Sequence, residues 1–547
     1  MDIRRTLIAI CASFVILIGW QQLSVYLGWV PDPALQQEQQ QQQEAAQPSA
    51  PDGVQTAPAP ASMAPLPAFQ PAPGRDVVVE TPLYKAVFYS GGGILKEFNL
   101  KKYHQSIAPD SPALQMVSPE AFAKAPMGII LDGAPSWSGA SWNFEGGDLN
   151  LAAGQTGTLK FTGEVNGVRL IRELTFDADK YSLKENAILQ SDQQRSVRLA
   201  FTMSAGKLQA ADAAYDLTRV AYDKDGSFKS EESEKDLLAG LTPAGNFSWA
   251  SIMSNYFLSA IMPKDANGTL KIKLEDGAYR IAMEKGGILV GPGQAATLET
   301  SYYIGPKEQD LLNAEPGNLG AAIDYGMFSI VARPLIAMLN FFQSFVGNWG
   351  IAIILLTLVI KIILWPLSYK SYKSMEQMKK LQPHMAKLKE KYGDDKEAMN
   401  KEMMQLYKTY KVNPASGCLP ILVQLPVFIG LYQGLLNSIQ LRHAAFITHL
   451  PFTDMLWLAD LSVKDPYYIT PVVMGLTMFL QQKLTPSAGD PTQQKIMLFM
   501  PLIFTVMFVN FPSGLVIYWL ANNVISIAQQ WWQLRNVTVA QPAGKPD

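Results

Sequence analysis

Lys361 stands inside an otherwise apolar run, Leu355-Leu356-Thr357-Leu358-Val359-Ile360-Lys361-Ile362-Ile363-Leu364. A charge held at mid-membrane costs about 2.5–3.5 kcal/mol on insertion scales. Two readings compete. In the first, Lys361 lies near enough to one end of the run for its stem to snorkel to the headgroups. In the second it faces a hydrated cavity, because Thr357 lies one turn away on the same helical face. Other apolar runs offer polar company: Gln424 in Leu422-Val423-Gln424-Leu425-Pro426, Gln433 beyond it, and Tyr518-Trp519, Asn522-Asn523 and Ser526 near the C-terminus. An ordinary interhelical hydrogen bond, worth about 0.6 kcal/mol on average, suffices for Gln433 and Ser526. For Gln424 and Asn522 that reading and a place in the cavity are evenly matched.

Bond-making chemistry finds no comparable constellation. The four histidines are His104, His384, His443 and His449, and none stands in an H-E-x-x-H or His–Cys pattern. His443 and His449, six apart, are a weak metal pattern. Gly91-Gly92-Gly93 lacks the Lys-Ser/Thr that a phosphate loop requires. No catalytic residue, metal or cofactor is expected, and a net charge of −2 gives no signal for DNA.

The elements that must position Lys361 are apolar and numerous. The 547 residues are 48% hydrophobic and only 17% charged, and a soluble protein is nearer a quarter charged. Five runs in the C-terminal third are long enough to span: Trp349–Leu367, Gly417–Leu436, Tyr468–Leu484, Ile496–Phe511 and Leu515–Trp531. A sixth, Thr6–Leu27, follows Arg4-Arg5 and has no small-residue cleavage site, so it reads as an uncleaved anchor. The only cysteines, Cys11 and Cys418, fall in apolar stretches, which excludes a disulfide framework.

Lysines orient the spans. Between Ser368 and Pro414 lie eleven lysines against six acidic residues, and such a loop belongs in the cytoplasm. Arg4-Arg5, Lys483, Lys495 and Arg535 then also fall inside, while loop 438–467 and everything between the first two spans fall outside. The basic loop carries two stripes at helical spacing, Met378, Leu381, Met385, Leu388, Tyr392 and Met399, Met403, Leu406, Tyr410, separated by Gly393-Asp394-Asp395. They predict an antiparallel helical hairpin whose stripes pack on each other. Its outer lysines, Lys379, Lys380, Lys387 and Lys391, are free to meet RNA or anionic headgroups by charge.

The organisation expected is an anchor (1–30), a Pro/Gln/Ala-rich disordered tether (31–74), a β-domain (75–313), a linker with an interfacial helix (314–348), a five-helix core (349–535) containing the hairpin (370–412), and a tail (536–547). In the β-domain, Asn166-Gly167 and Asp276-Gly277 sit between alternating runs, the strongest short hairpin signal. The domain reads as one large antiparallel sandwich. Pro334–Val346 reads as a short amphipathic helix with the proline in its first turn, lying on the membrane, with a buried helix of the β-domain as the alternative.

At this point the chain resembles a known family. Val346-Gly347-Asn348-Trp349-Gly350, the basic residue at Lys361, Asn413-Pro414-Ala415-Ser416-Gly417-Cys418-Leu419-Pro420 and Phe511-Pro512-Ser513-Gly514-Leu515 look like the YidC insertase family, in its form for inner membranes that face a periplasm. The resemblance implies six membrane helices with both termini cytoplasmic, and an all-β periplasmic supersandwich similar to sugar mutarotases. It implies a five-helix core around a positively charged groove that is closed outside and open to cytoplasm and lipid. The family's groove arginine falls at Lys361, a departure, since a lysine lacks the planar fork. Its groove glutamine falls at Gln424, the aromatic of its last helix at Trp519, and a further residue of that face at Thr357; Tyr518 and Asn522 join the site. The implied partners are nascent membrane proteins, the SecYEG translocon, the ribosome and signal recognition components. The mechanism that follows is physical: a hydrated groove shortens the apolar barrier, Lys361 attracts acidic residues of the translocated segment, and partitioning of the client helix into lipid drives insertion. A secondary transporter would need carboxylates within the spans, which hold none. A membrane-anchored carbohydrate enzyme would need an organised acid–base pair and no further helices.

Overall fold

The computed structural model describes residues 69, 74–138, 141–207, 217–265, 268–392, 395–410, 412, 419–484 and 491–536. The expected anchor, most of the tether, Gly393-Asp394, the Asn413–Cys418 stretch and residues 537–547 lie outside these.

Among the described residues, the strands between Asp76 and Pro306 form three sheets of five, nine and five strands. Thr156–Val165 and Val168–Asp177 pair antiparallel and close through Asn166 and Gly167, whose φ values are 53° and 71°. Two successive positive φ angles are what a two-residue hairpin of matching twist demands. Asp276-Gly277 closes Glu275 onto Ala278 in the same way. Asp132-Gly133 and Asp225-Gly226 make two more such turns. They escape pattern reading because they join short strands with little alternation. The expectation of a single antiparallel sandwich is too simple. There are three sheets, and Asp76–Glu80 pairs in parallel with the two-residue strand Leu149–Asn150. A strand that short carries no periodic signal.

A fully buried ion pair fastens this domain. Arg172 donates from Nε to Glu185 Oε1 at 2.6 Å and from Nη2 to Oε2 at 3.0 Å. The same guanidinium donates to Gly92 O and Met127 O, both at 2.6 Å, and the Tyr302 hydroxyl donates to Glu185 at 3.0 Å. Burying two charges is tolerable only when their remaining hydrogen-bonding capacity is filled. Here that requirement ties two strands of the nine-stranded sheet to the Gly91–Gly93 turn. Gly93, at φ 65°, brings backbone to where a Cβ would stand 3.0 Å from the Phe161 ring.

The C-terminal region is helical: α1 (Ser329–Val346), α2 (Trp349–Tyr392), α3 (Lys396–Thr409), α4 (Leu419–Leu436), α5 (Ile469–Leu484), α6 (Pro491–Phe508) and α7 (Ser513–Asn536). α1 starts five residues before Pro334, which sits inside the helix instead of opening it. The cost is one backbone hydrogen bond, offset by tight packing on α4. A Cβ on Gly434 would lie 2.6 Å from Ile336, and one on Gly430 would lie 3.2 Å from the Ala332 nitrogen. Small residues four apart let two helices approach in this way. α2 departs further from expectation. Its 44 residues, about 66 Å at 1.5 Å per residue, run unbroken through Pro366 and Pro383, so the first apolar run and the first hairpin arm are one helix.

The loop between α4 and α5 caps one end of the bundle. Asp465, 1% exposed, accepts from Trp457 Nε1 at 3.0 Å, and from Thr470 through both its backbone N–H (2.7 Å) and its hydroxyl (2.8 Å). The Phe511–Gly514 turn docks beneath it, with Ser513 N–H on Val463 O at 2.7 Å and Gly514 N–H on Leu461 O at 3.0 Å. Arg442 of this loop reaches the β-domain, donating to His104 O at 2.6 Å with its guanidinium 5.4 Å from the Phe257 ring centre. Large apolar side chains stay exposed on Ile362, Ile363, Leu476, Phe499, Leu502 and Val506, a pattern suited to a lipid solvent.

Arg172→Met is expected to destabilise the β-domain by about 3–5 kcal/mol, because Glu185 is left charged and buried. Arg172→Met with Glu185→Leu is expected to recover much of that loss. The urea concentration at which the β-domain of the full chain becomes trypsin-sensitive measures both. Equal sensitivity of the single and double variants would show that the loss is one of packing, not of charge.

Candidate functional site

Three helices bring polar groups together in the apolar bundle. Lys361 lies on α2, Gln424 on α4, and Tyr518, Asn522 and Ser526 on one face of α7 at helical spacing. Lys361 is 7% exposed, and its ammonium donates to Ser526 Oγ at 2.7 Å. Ser526 in turn donates to the Asn522 carbonyl at 2.7 Å. The Gln424 amide nitrogen donates to Asn522 Oδ1, and buried Tyr518 stacks against Phe428 of α4, ring centres 6.4 Å apart. Among the described residues, no Asp or Glu forms an ion pair with Lys361. The charge is therefore held by neutral dipoles and is not cancelled.

The other expected groups are placed differently. Thr357 is buried one turn before Lys361, but its hydroxyl donates to the Ile353 carbonyl of its own helix at 2.7 Å. Such back-bonding satisfies the hydroxyl without a partner helix. Trp519 points into an aromatic cluster, edge-on to Phe428 at 4.7 Å and close to Phe508 (5.1 Å) and Phe504 (5.8 Å). It joins α4, α6 and α7 by packing. Asn523 faces α5, donating to Thr477 Oγ1 at 3.3 Å.

Ser526 is the residue that sequence reasoning undervalued. It does make an interhelical hydrogen bond, but to the one charge of the site. The available signal was its i+4 spacing from Asn522. That polar face continues along α7 through buried Gln529, Gln530 and Gln533. It too was unread, because the apolar residues between them dominate the run.

The hairpin has its own small core of Met378, Leu381 and Val412, with Met385 and Tyr407 against it. Tyr407, not Tyr410, supplies the aromatic, its hydroxyl 3.8 Å from Met385 Sδ. Tyr410 is half exposed beside His384. Asp395 caps α3, accepting from Glu397 N–H at 3.1 Å and Ala398 N–H at 3.0 Å. Lys379, Lys380, Lys387 and Lys391 are all exposed. Lys380 lies 3.6 Å from Glu376, a solvated i, i+4 pair worth little. In the capping loop, burial and then the Arg442 charge hold the His443 imidazole below its ordinary pKa, against the opposing pull of Asp460 3.9 Å away.

Comparison with known proteins covers nearly the whole chain. The model of the 60Kd inner membrane protein family matches residues 341–540, and that of the YidC periplasmic domain matches residues 76–338. A "Membrane protein insertase YidC" of Nitratidesulfovibrio vulgaris (strain DP4) is 56% identical over 98% of this chain and 100% of its own length. One of Oleidesulfovibrio alaskensis is 53% identical, again over 98% of this chain and 100% of its own length. A crystal structure of an active YidC insertase with its first transmembrane domain resolved overlays on 85% of this chain and 94% of that one, at 17% identity and a TM-score of 0.36. The chain belongs to the YidC family of membrane protein insertases, inner-membrane proteins with an all-β periplasmic domain followed by a helical region.

Proposed function

We propose that this insertase moves its clients through a groove whose working charge is Lys361, lined by Gln424, Tyr518 and Asn522, with Thr357 and Trp519 completing its wall. The carrying observation is that Lys361 is buried with a neutral partner, so its field remains available. An acidic residue of a translocated segment is attracted strongly where water is scarce. Once the polar segment has passed, the client's apolar helix gains about 0.8 kcal/mol per buried CH₂ by entering lipid. That gain drives the cycle with no nucleotide or cofactor.

In this reading α2, α4, α5, α6 and α7 cross the membrane, and an N-terminal anchor makes six spans. α1 lies at the interface, the β-domain is periplasmic, and both termini are cytoplasmic. The hairpin, at the cytoplasmic end of α2, offers Lys379, Lys380, Lys387 and Lys391 to the ribosome and to anionic lipids. The SecYEG translocon and signal recognition components are the remaining proposed partners.

Lys361→Arg is expected to retain insertion, since both side chains are cationic. Lys361→Ala is expected to slow clients with acidic translocated segments about fivefold to tenfold, equivalent to about 1–1.4 kcal/mol, and Lys361→Glu to be worse. The measurement is an insertion assay on client pairs that differ only in those acidic residues, with protein level and protease-mapped topology followed in parallel. Equal impairment of acidic and neutral clients by Lys361→Ala would rule out attraction by charge.

Changing Lys379, Lys380, Lys387 and Lys391 together to Glu is expected to weaken ribosome and anionic-vesicle binding in co-sedimentation. The difference from the unmodified chain should shrink as salt rises and the Debye length falls from about 30 Å at 0.01 M to about 8 Å at 0.15 M. Unchanged binding at 0.01 M salt would assign these lysines to solubility alone.

A further inference from the structure

We infer that Ser526 is a positioning residue for Lys361: it holds the ammonium within the groove without neutralising it, and surrenders it to an acidic client. This rests on the reading that Lys361 attracts acidic segments.

The hydrogen-bond directions are determined by chemistry. An ammonium only donates, and a hydroxyl has one proton and two lone pairs. The Ser526 proton is committed to the Asn522 carbonyl at 2.7 Å, so a lone pair faces Lys361 Nζ, also at 2.7 Å. The order is Lys361 to Ser526 to Asn522. Asn522 meanwhile accepts from Gln424 through its side chain. One turn of α7 thus links the charge on α2 to the amide on α4.

A lysine needs such an anchor. Its stem is long and flexible and carries a single point charge at the tip. With an apolar neighbour at 526, the head would be free to snorkel out of the groove. With a carboxylate there, the field would be cancelled at its source. Serine avoids both outcomes. A client carboxylate adds the attraction of an opposite full charge in a site poor in water, which the neutral hydroxyl lacks, so an arriving carboxylate outcompetes the hydroxyl. Lys361 then passes from Ser526 to the client.

The test compares Ser526→Val with its near-isostere Ser526→Thr in the full chain in native membranes, with Ser526→Ala in case the valine variant fails to fold. One readout is the ratio of acidic to neutral client insertion. The other is the rate at which acetic anhydride acylates the Lys361 amine, followed by peptide mass spectrometry. Ser526→Val and Ser526→Ala should lower the ratio about threefold and raise the acylation rate by a similar factor, the scale of one hydrogen bond. Ser526→Thr, whose hydroxyl can reach the same carbonyl, should recover both. Added to Lys361→Ala, Ser526→Val should change the ratio no further. Unchanged ratio and acylation in the valine and alanine variants would overturn the proposal, as would a threonine variant that behaves like valine. If Lys361→Ala leaves the ratio unchanged, the charge reading fails, while the acylation rates still decide whether Ser526 holds the amine.

Discussion

An uncancelled ammonium inside an apolar helical bundle is the constraint around which the helical region is arranged. A charge there is expensive, and the usual remedies are to pair it or to let it reach water. The bundle uses a third: a hydroxyl on α7 accepts from Lys361, its own proton bonds the Asn522 carbonyl, and the Asn522 side chain is bonded from α4. The result keeps both charge and position. Those are the properties an insertase needs if it is to attract a polar segment and then let it go.

The same cost is met in the opposite way in the β-domain. Arg172 and Glu185 are as deeply buried, but they neutralise each other, and every contact around them is with backbone carbonyls or Tyr302. That arrangement rigidifies and has no charge to offer. Two of the buried cations are thus used differently: Arg172 fastens strands to a turn, and Lys361 has no carboxylate partner among the described residues. The difference lies in whether the first acceptor is a carboxylate or a hydroxyl.

Packing supports the bundle around Lys361. Gly430 and Gly434 bring α1 onto α4, and Trp519 gathers aromatic rings from α4 and α6. Asp465 and the Phe511–Gly514 turn tie down the end that carries the α4–α5 loop. Towards the hairpin, the polar face of α7 runs on past Ser526 through buried Gln529, Gln530 and Gln533.

Much of this was legible in the residues alone. Apolar runs, lysine placement and the Asn-Gly and Asp-Gly turns are local signals, and they were enough for a helical membrane region and an all-β domain, and for picking out Lys361 as a charge inside an apolar run. The proline at 334, the unbroken 44 residues of α2, the parallel strand pair and the choice of Tyr407 over Tyr410 were not, since each is decided by what packs against it. Ser526 makes the point most clearly. Sequence by itself placed a serine on a helical face with Asn522, a position of no evident consequence. Only the tertiary structure decided that α2 crosses α7 where Lys361 and Ser526 stand at the same depth, because a hydrogen bond depends on a separation of 2.7 Å between residues 165 apart in the chain.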